Sequence, residues 1–417
     1  MSAGTRGGGP PRRIGAEVEL LALSAATRRP LPLHAVRAHG PAAPALLPLL
    51  RTVAAREGWR EEPTPHGAPR FRVRGGGVLS LEPGGQLELS STPCPSVGAL
   101  LVQLAASLAP LSSAARDLGV RLVAAGIDPH NTLEDAPLLL GGERYARMDR
   151  YFARLGVAGA RMMRQTASLQ INLDWSPDAR GRALQWRVLN AAAPLLIAIF
   201  ANSPVYAGRE TGHLSFRALT WRSVDPARTG LFSGVEMERE YRCFAMDAPM
   251  MLRPLEDGRY RTAREWRSDG KLSDASWAEH LSTLFPEVRP RAYLEVRSID
   301  ALDPVWHAAP LALLAGLVYC RESLEAAAEL LGPPEPAWLT RAATHGVHDP
   351  LLAARAEALW RISLAGCEAL GPGMVESHVL ERAREFARRY TFHGRSPADD
   401  LPPVHASPAL PLVPHPR

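Results

Sequence analysis

Carboxylate and amide side chains alternate with apolar residues in four short segments of the chain, at residues 14–20, 81–90, 166–174 and 293–297. Because residues i and i+2 of a β-strand share a face, each segment would place its polar side chains on one side of a sheet. Clustered carboxylates repel one another unless cations neutralise them, and hard oxygen ligands suit Mg²⁺ or Mn²⁺. The pattern therefore predicts a metal–nucleotide site.

The side chains that would share this polar face come from all four segments. They are Glu17, Glu19, Gln86, Glu88, Thr166, Ser168, Gln170, Asn172, Asp174, Glu295 and Arg297. Any half-exposed antiparallel sheet also alternates polar and apolar residues, with a solvated outer face. A solvated face usually mixes Lys, Arg, Thr and Glu, whereas these positions favour Glu, Gln and Asn with a single Arg. Agreement among four segments favours the metal site.

A glycine pair interrupts the second segment and shapes its approach to the strand at 86–90. Gly84 and Gly85 follow Pro83, which indicates a sharp bend or a close backbone approach. Such an entry loop would aim Glu82 beside Glu88. An ordinary hairpin turn is an equally good interpretation of the same residues.

Helices with apolar periodicity surround these strands, and they indicate an α+β fold whose helices cover the apolar face of the sheet. The sequence predicts them at residues 96–118 with an N-cap at Ser96, 183–201 with a bend or a new start at Pro194, 303–331, 338–345, 350–370 and 374–390. We expect one catalytic domain over residues 13–394. The Pro- and Gly-rich ends, 1–12 and 395–417, are expected to be disordered.

The composition excludes several function classes. The chain has 417 residues, 46% of them hydrophobic, and a formal net charge of +5. Lys271 is its only lysine and lies outside any Walker A pattern, so phosphate would have to be handled by metal and arginine. No basic run is interleaved with aromatic residues, so no nucleic-acid partner is expected.

The cysteines and apolar stretches indicate the compartment. The four cysteines are far apart and form no Cys-x-x-Cys pair, which suits a reducing environment. The N-terminus shows no secretory signal, and the apolar stretch at 308–320 is too short to span a bilayer. We expect a cytoplasmic protein without a membrane partner; the sequence does not indicate its oligomeric state.

The segment at 82–90, Glu-Pro-Gly-Gly-Gln-Leu-Glu-Leu-Ser, resembles the signature of plant-type glutamate–cysteine ligases, which also occur in proteobacteria and actinobacteria. Further blocks follow in the family's order across residues 13–330. They are Gly15–Glu19, Arg144-Tyr145 with Met148, Met162-Met163 leading into 166–174, Ala201–Pro204, Gly212 with 215–217, Trp221 with Asp225 and Arg228, and 291–297 with Asp300. The segments at 225–230 and 283–291 resemble the actinobacterial branch that feeds ergothioneine synthesis.

The resemblance implies a glutamine-synthetase-like carboxylate–amine ligase fold, ATP, and two or more Mg²⁺ ions. L-Glutamate and L-cysteine would be joined to γ-glutamylcysteine through a γ-glutamyl phosphate. The implied metal ligands are Glu17, Glu19, Glu82, Glu88, Gln170, Asn172 and Glu295. Glu88, Glu295 and Arg297 would be catalytic, with Arg297 contacting the transferred phosphoryl group or, alternatively, pairing with a carboxylate. The candidate substrate-binding residues are Arg217, Arg222, Trp221, Thr166, Ser168 and Tyr145.

Several alternatives stay open at this stage. Arg217 and Arg222 could form surface ion pairs, and Trp221 and Tyr145 could belong to the core. Gln170 and Asn172 could orient the other ligands instead of binding metal. A ligase that joins glutamate to another amine would carry the same metal site, and a non-catalytic amino-acid or nucleotide binder could retain the same fold. No histidine stands out as a general base.

Overall fold

The computed structural model describes residues 12–35, 43–64 and 67–401. Its strands are β1 (Ile14–Ser24), β2 (Arg60–Glu62), β3 (Arg70–Arg72), β4 (Val78–Leu81), β5 (Leu87–Ser90), β6 (Val120–Val123), β7 (Ser168–Leu173), β8 (Val205–Tyr206), β9 (Arg209–Glu210), β10 (Val288–Pro290) and β11 (Leu294–Asp300). Nine of them form one antiparallel sheet in the order β10-β11-β7-β1-β5-β4-β3-β2, with β6 paired to the end of β1. Strands β8 and β9 form a separate hairpin.

The four polar segments are neighbouring strands of this sheet, which confirms the predicted strands. In the register, Glu19 lies opposite Glu88, and Glu17 lies opposite Gln170. The next pair along the sheet joins Asn172 of β7 to residue 295 of β11. Because directly paired residues of antiparallel strands share a face, these side chains all project from the same face.

The helices are α1 (Leu46–Glu57), α2 (Val97–Asp117), α3 (Glu143–Ala153), α4 (Ala158–Gln165), α5 (Ala179–Ile199), α6 (Phe216–Arg222), α7 (Met237–Asp247), α8 (Ala263–Ser268), α9 (Asp274–Leu281), α10 (Ala308–Tyr319), α11 (Arg321–Leu331), α12 (Ala337–His345), α13 (Pro350–Leu370) and α14 (Ser377–Arg389). Short 3₁₀ turns follow β11, α12 and α14. The mixed helix and sheet content confirms the predicted α+β class.

Most of the predicted helices are confirmed, with two corrections. Ser96 caps α2 as expected, since its hydroxyl accepts from the Ala99 N–H at 3.1 Å. Helix α5 does not begin anew at Pro194, because it runs through that residue to Ile199. The single helix expected at 303–331 is wrong. Cys320 adopts an extended backbone conformation (φ −87°, ψ 123°) and separates α10 from α11.

Apolar side chains form one main core and a smaller second core. In the main core, the apolar face of the sheet packs together with α2, α5, α10, α13 and α14. The second core joins Tyr151 and Phe152 of α3 to Met163, Trp221 and Phe285. This second core lies beside the strands that carry the polar face, so it can support the side chains there.

Helix α2 combines length with apolar character. Within the part of the chain that the structure describes, it alone is long and apolar enough to cross a membrane, by length and composition only. In the fold, Leu100, Leu104, Leu108 and Leu111 of α2 are buried in the main core. The helix is thus accounted for as a core element.

The C-terminal end of the domain lies beyond the predicted boundary. The disordered tail was expected to begin at residue 395, yet residues 397–400 form a 3₁₀ helix and Ser396, Pro397 and Ala398 are buried. Asp400 pairs with Arg389 at 2.8 Å. The prediction is therefore wrong for residues 395–401. The rest of the tail, 402–417, and residues 1–11 of the predicted N-terminal segment lie outside the described residues.

Candidate active site

Four glutamates gather on the polar face where β1, β5 and the β4–β5 turn meet. Glu17 and Glu19 come from β1 and Glu88 from β5, while Glu82 lies in the turn. Burial, and then repulsion by Glu19, raises the pKa of Glu82 to about 7. Burial followed by repulsion from Glu82 raises the pKa of Glu88 well above its ordinary range. A bound cation would offset the repulsion among these carboxylates.

The turn that carries Glu82 depends on a close backbone approach. It is a hairpin, in which the Glu82 N–H donates to the Gln86 carbonyl at 2.8 Å and Gly85 has a φ of +90°. A Cβ atom on Gly84 would lie 2.2 Å from the Arg164 carbonyl oxygen. The hairpin interpretation and the predicted close approach are both confirmed, and glycine is the residue that fits there.

Strand β7 orients the carboxylates of β1. The Ser168 N–H and hydroxyl donate to Glu19 Oε2 at 2.7 and 3.0 Å, and Gln170 Nε2 donates to Glu19 Oε1 at 2.9 Å. Asn172 Nδ2 donates to Glu17 Oε1 at 3.3 Å. Both amide groups therefore donate hydrogen bonds to the carboxylates of β1. Asn172 Oδ1 is buried and has no hydrogen-bond partner among the described residues.

The donor set fits a hard divalent cation by its chemistry. Clustered carboxylates with raised pKa values and an unpaired amide oxygen are the groups that such a cation would satisfy. Across the described ranges, however, no three Asp, Glu, His or Cys side chains are arranged around one point as metal ligands. The donors are on one face but would have to converge to hold an ion.

Glu295 lies in a different environment from the other four glutamates. It is fully buried, and its carboxylate contacts Arg289 Nη2 at 2.5 Å, Arg291 Nε at 2.9 Å and Arg297 Nη1. Burial alone would raise its pKa, but Arg297, Arg289 and Arg291 lower the pKa to about 2. Both oxygens of Glu295 are thus engaged by guanidinium groups.

Arg289 and Arg291 were missed by the sequence reasoning. Arg289 lies on β10 directly opposite Glu295, and Arg291 follows two residues later. Their i, i+2 spacing before the last polar strand is the signal that could have found them. With Arg297 they place three positive charges around one carboxylate, so the cluster retains a surplus of positive charge.

The predicted substrate-binding residues divide into two groups. The Ser168 hydroxyl donates a hydrogen bond to Glu19, a member of the acidic cluster. Tyr145 on α3 lies near the same cluster, since burial and then the charges of Glu82 and Glu88 raise the pKa of its hydroxyl to about 12. These two side chains are brought to the acidic face.

Three of the other four, Thr166, Arg217 and Trp221, contact groups in the interior, and Arg222 lies at the end of α6. Thr166 donates its hydroxyl to the Met162 carbonyl at 2.7 Å. Arg217 is 3% exposed, and its Nη2 donates to the Arg297 carbonyl at 2.8 Å. Arg222 is the last residue of α6, the helix that also carries Arg217, and it is half-buried. Trp221 is buried in the second core.

A buried carboxylate explains why Arg217 lies in the interior. Asp300 accepts hydrogen bonds from the hydroxyl groups of Ser203 and Ser215 at 2.7 and 2.9 Å and from the Asn202 N–H at 2.9 Å. Arg217 Nη1 lies 3.5 Å from Asp300 Oδ1. This network fixes Arg217 against the end of β11, beside Arg297.

Comparisons with known proteins identify the family of the chain. The family model of glutamate–cysteine ligase family 2 matches residues 13–408. Glutamate–cysteine ligase EgtA of Mycolicibacterium smegmatis is 37% identical over 346 residues, covering 78% of each chain. The chloroplastic glutamate–cysteine ligase of Arabidopsis thaliana is 32% identical over 343 residues, covering 78% of this chain and 63% of the plant protein.

One solved structure shows the same fold. The glutamate–cysteine ligase of Francisella tularensis, solved in complex with AMP, superposes with a TM-score of 0.51 over 93% of this chain and 83% of that chain, at 14% identity. The predicted carboxylate–amine ligase fold is therefore confirmed, and so is the resemblance drawn from residues 82–90 and the blocks around them. The chain belongs to glutamate–cysteine ligase family 2.

Proposed function

We propose that this chain joins the side-chain carboxylate of L-glutamate to the amine of L-cysteine, with hydrolysis of ATP to ADP and phosphate, to give γ-glutamylcysteine. One observation carries the proposal. The acidic face of the central strands β1, β5 and β7 lies within the segment that matches the ligase family, and the sheet register brings Glu17, Glu19 and Glu88 together on it. ATP-dependent ligation is the reaction of that family.

The chemistry explains why the face needs both acids and arginines. A carboxylate is a poor electrophile, so its oxygen must become a leaving group. The γ-phosphoryl group of ATP passes to the glutamate side chain, which releases ADP. The cysteine amine then attacks the acyl phosphate, forms the amide bond and releases phosphate and a proton. Phosphoryl transfer of this kind relies on positioning and charge neutralisation.

The acidic cluster is the proposed Mg²⁺ site, and Mn²⁺ would fit the same donors. Glu17, Glu19, Glu82 and Glu88 would hold the ions, while Gln170 and Asn172 orient the carboxylates or add a neutral oxygen. Bound Mg²⁺ would neutralise phosphate charge during transfer. The raised pKa values of Glu82 and Glu88 support this assignment, because their environment disfavours bare negative charge.

The arginines around Glu295 are the proposed contact for the transferred phosphoryl group. Arg297 also bonds Gln170 Oε1, so its guanidinium lies between β11 and β7, next to the acidic cluster. Glu295 was predicted as a metal ligand and a catalytic residue. Its three arginine partners favour a different role, in which it anchors their guanidinium groups. A surplus of positive charge beside a metal cluster suits a polyphosphate.

The geometry supports fewer substrate-binding residues than the sequence predicted. Tyr145 and Ser168 lie beside the acidic cluster and would line the site for the amino-acid substrates. Thr166 and Arg217 bond neighbouring backbone carbonyls and would support the site from behind. The general base stays unassigned. The four cysteines are free thiols, which supports a cytoplasmic location.

The test is a ligation assay with ATP, Mg²⁺, glutamate and a panel of amines, read by product mass and ADP release. We expect a dominant γ-glutamylcysteine product with matched ADP, and no product from Glu88→Gln. A product with another amine would retain the mechanism and change the specificity. No ADP release with any amine would refute the proposal.

A further inference from the structure

Two guanidinium groups lie over the indole ring of Trp221. The Cζ atoms of Arg217 and Arg297 are 5.3 and 5.2 Å from the ring centroid. The ring cannot shift easily, because Trp221 is 7% exposed and its N–H donates to the Phe285 carbonyl at 2.9 Å. An aromatic face attracts a cation, and the attraction strengthens where water is excluded.

Arg297 needs such a support. Its Nη1 reaches Gln170 Oε1 and Glu295, so the tip of the side chain is held at one end only. Its Nε is buried and has no hydrogen-bond partner among the described residues. These hydrogen bonds all leave from one nitrogen, so contact with a fixed ring adds a second point of support for the guanidinium.

Arg217 also holds Arg297, through the backbone carbonyl of Arg297. The Arg217 Nη2 group donates to the Arg297 carbonyl at 2.8 Å, and Asp300 holds Arg217 in turn. The indole ring and the buried Arg217–Asp300 pair thus constrain Arg297 from two sides. Neither Trp221 nor Arg217 has to touch a substrate to affect the reaction.

We propose that Trp221 is a positioning residue for Arg297, and not part of a substrate pocket. The proposal rests on the proposed function, because it assigns Trp221 a role in the phosphoryl-transfer step of that reaction. The indole holds the guanidinium plane of Arg297 toward the transferred phosphoryl group. Loss of the ring leaves the substrates bound and slows their chemistry.

The experiment compares Trp221→Leu and Trp221→Met, which lack a ring, with Trp221→Phe, which retains one. All three lose the hydrogen bond to Phe285, so that loss is matched. We expect the ring-free variants to lose about ten- to hundredfold in kcat, the scale of a misplaced catalytic group. Their KM values for ATP, glutamate and cysteine should change by less than about twofold, and Trp221→Phe should retain most of the turnover.

A double-mutant cycle with Arg297→Lys tests whether Trp221 acts through Arg297. In that background, Trp221→Leu or Trp221→Met should cost less than about twofold in kcat. Two results would overturn the proposal: a raised KM for glutamate or cysteine with kcat unchanged, or the same loss of kcat in both backgrounds. Wild-type protein that ligates nothing would refute the proposed function instead, so the two failures are distinguishable. The Tm of each variant is measured by thermal unfolding, and only variants with a Tm close to that of the wild type are compared.

Discussion

Replacing Glu295 by glutamine separates its two possible roles. If the carboxylate anchors Arg289, Arg291 and Arg297, its loss leaves two buried cations and one exposed cation without their shared partner. If it belongs to the metal cluster, its loss relieves repulsion in the metal-free protein. The two roles therefore predict opposite changes in stability, although both predict loss of activity.

The size of the expected change follows from the burial and partners of Glu295. Its carboxyl pKa falls from an ordinary 4.5 to about 2 in the folded protein. At about 1.4 kcal/mol per pKa unit, that difference is worth about 3 kcal/mol at neutral pH. Breaking a buried ion pair on one side costs about 3–5 kcal/mol. For a chain of this length, the loss corresponds to a Tm about 4–6 °C lower.

Glu88→Gln is the matched control. It makes the same chemical change on the same sheet face, at a carboxylate whose pKa is raised by burial and by neighbouring acids. Removing it relieves repulsion, so its Tm without metal should equal or exceed that of the wild type. The assay is thermal unfolding of wild type, Glu295→Gln and Glu88→Gln in EDTA at neutral pH, at one scan rate. A further scan with Mg²⁺ measures how much the ion raises the Tm of each protein.

One outcome would refute the reasoning. If Glu295→Gln were as stable as Glu88→Gln in EDTA and lost its stabilisation by Mg²⁺, Glu295 would be a metal ligand. The three arginines would then be partners that the ion displaces. A Tm well below the wild type in EDTA, together with a retained gain from Mg²⁺, would support the anchoring role.

Three further predictions follow from other parts of the fold. Gly84→Ala should lower the Tm and the turnover and reduce the free energy of unfolding by about 1–3 kcal/mol, because its Cβ would meet the Arg164 carbonyl. The control is Gly141→Ala, whose Cβ meets nothing within 4 Å and which should change neither the Tm nor the turnover. A chain ending at residue 394 should lose about 2 kcal/mol of stability by losing the buried segment 396–398, while one ending at 401 should match the wild type in Tm and turnover. Without metal, the Tm of the wild type relative to Glu82→Gln should fall as the pH rises from about 4.5 through about 7, because the folded protein binds the Glu82 proton more tightly than the unfolded chain does. The comparison cancels the contribution of His280 and His307, whose pKa values burial lowers to about 4 and which act in the opposite direction. Mg²⁺ should flatten the difference between the two proteins. A wild-type Tm that rises relative to that of Glu82→Gln over the same range, both without metal, would contradict the last prediction.

The polar face could be predicted because it depends on local periodicity. Alternation at residues 14–20 and 166–174 predicts which side chains share a face, whatever strand lies next to them. The register then brings Glu17 opposite Gln170 and Glu19 opposite Glu88. The resemblance at residues 82–90 added the fold and the reaction, which periodicity alone does not specify.

The environment of each acid could not be predicted, because it depends on contacts between distant segments. Glu295 alternates like Glu17, yet Arg289 of the paired strand neutralises it. Arg217 was expected to bind substrate carboxylates, and Asp300, far along the chain, draws it into the interior. The break at Cys320 has no glycine or proline to signal it, so the apolar period continued across it in the sequence.

The order of strands in the sheet has a consequence for synthesis of the chain. Strand β1 is made first, but Gln170 of its neighbour β7 lies 151 residues after Glu19. At about 5–20 residues per second, β7 leaves the ribosome on the order of ten to thirty seconds later. During that interval one edge of β1 is open to pairing with other nascent chains, and charged side chains discourage such pairing. Neutralising Glu17 and Glu19 should therefore lower the soluble yield from cells more than it lowers the Tm of the purified protein.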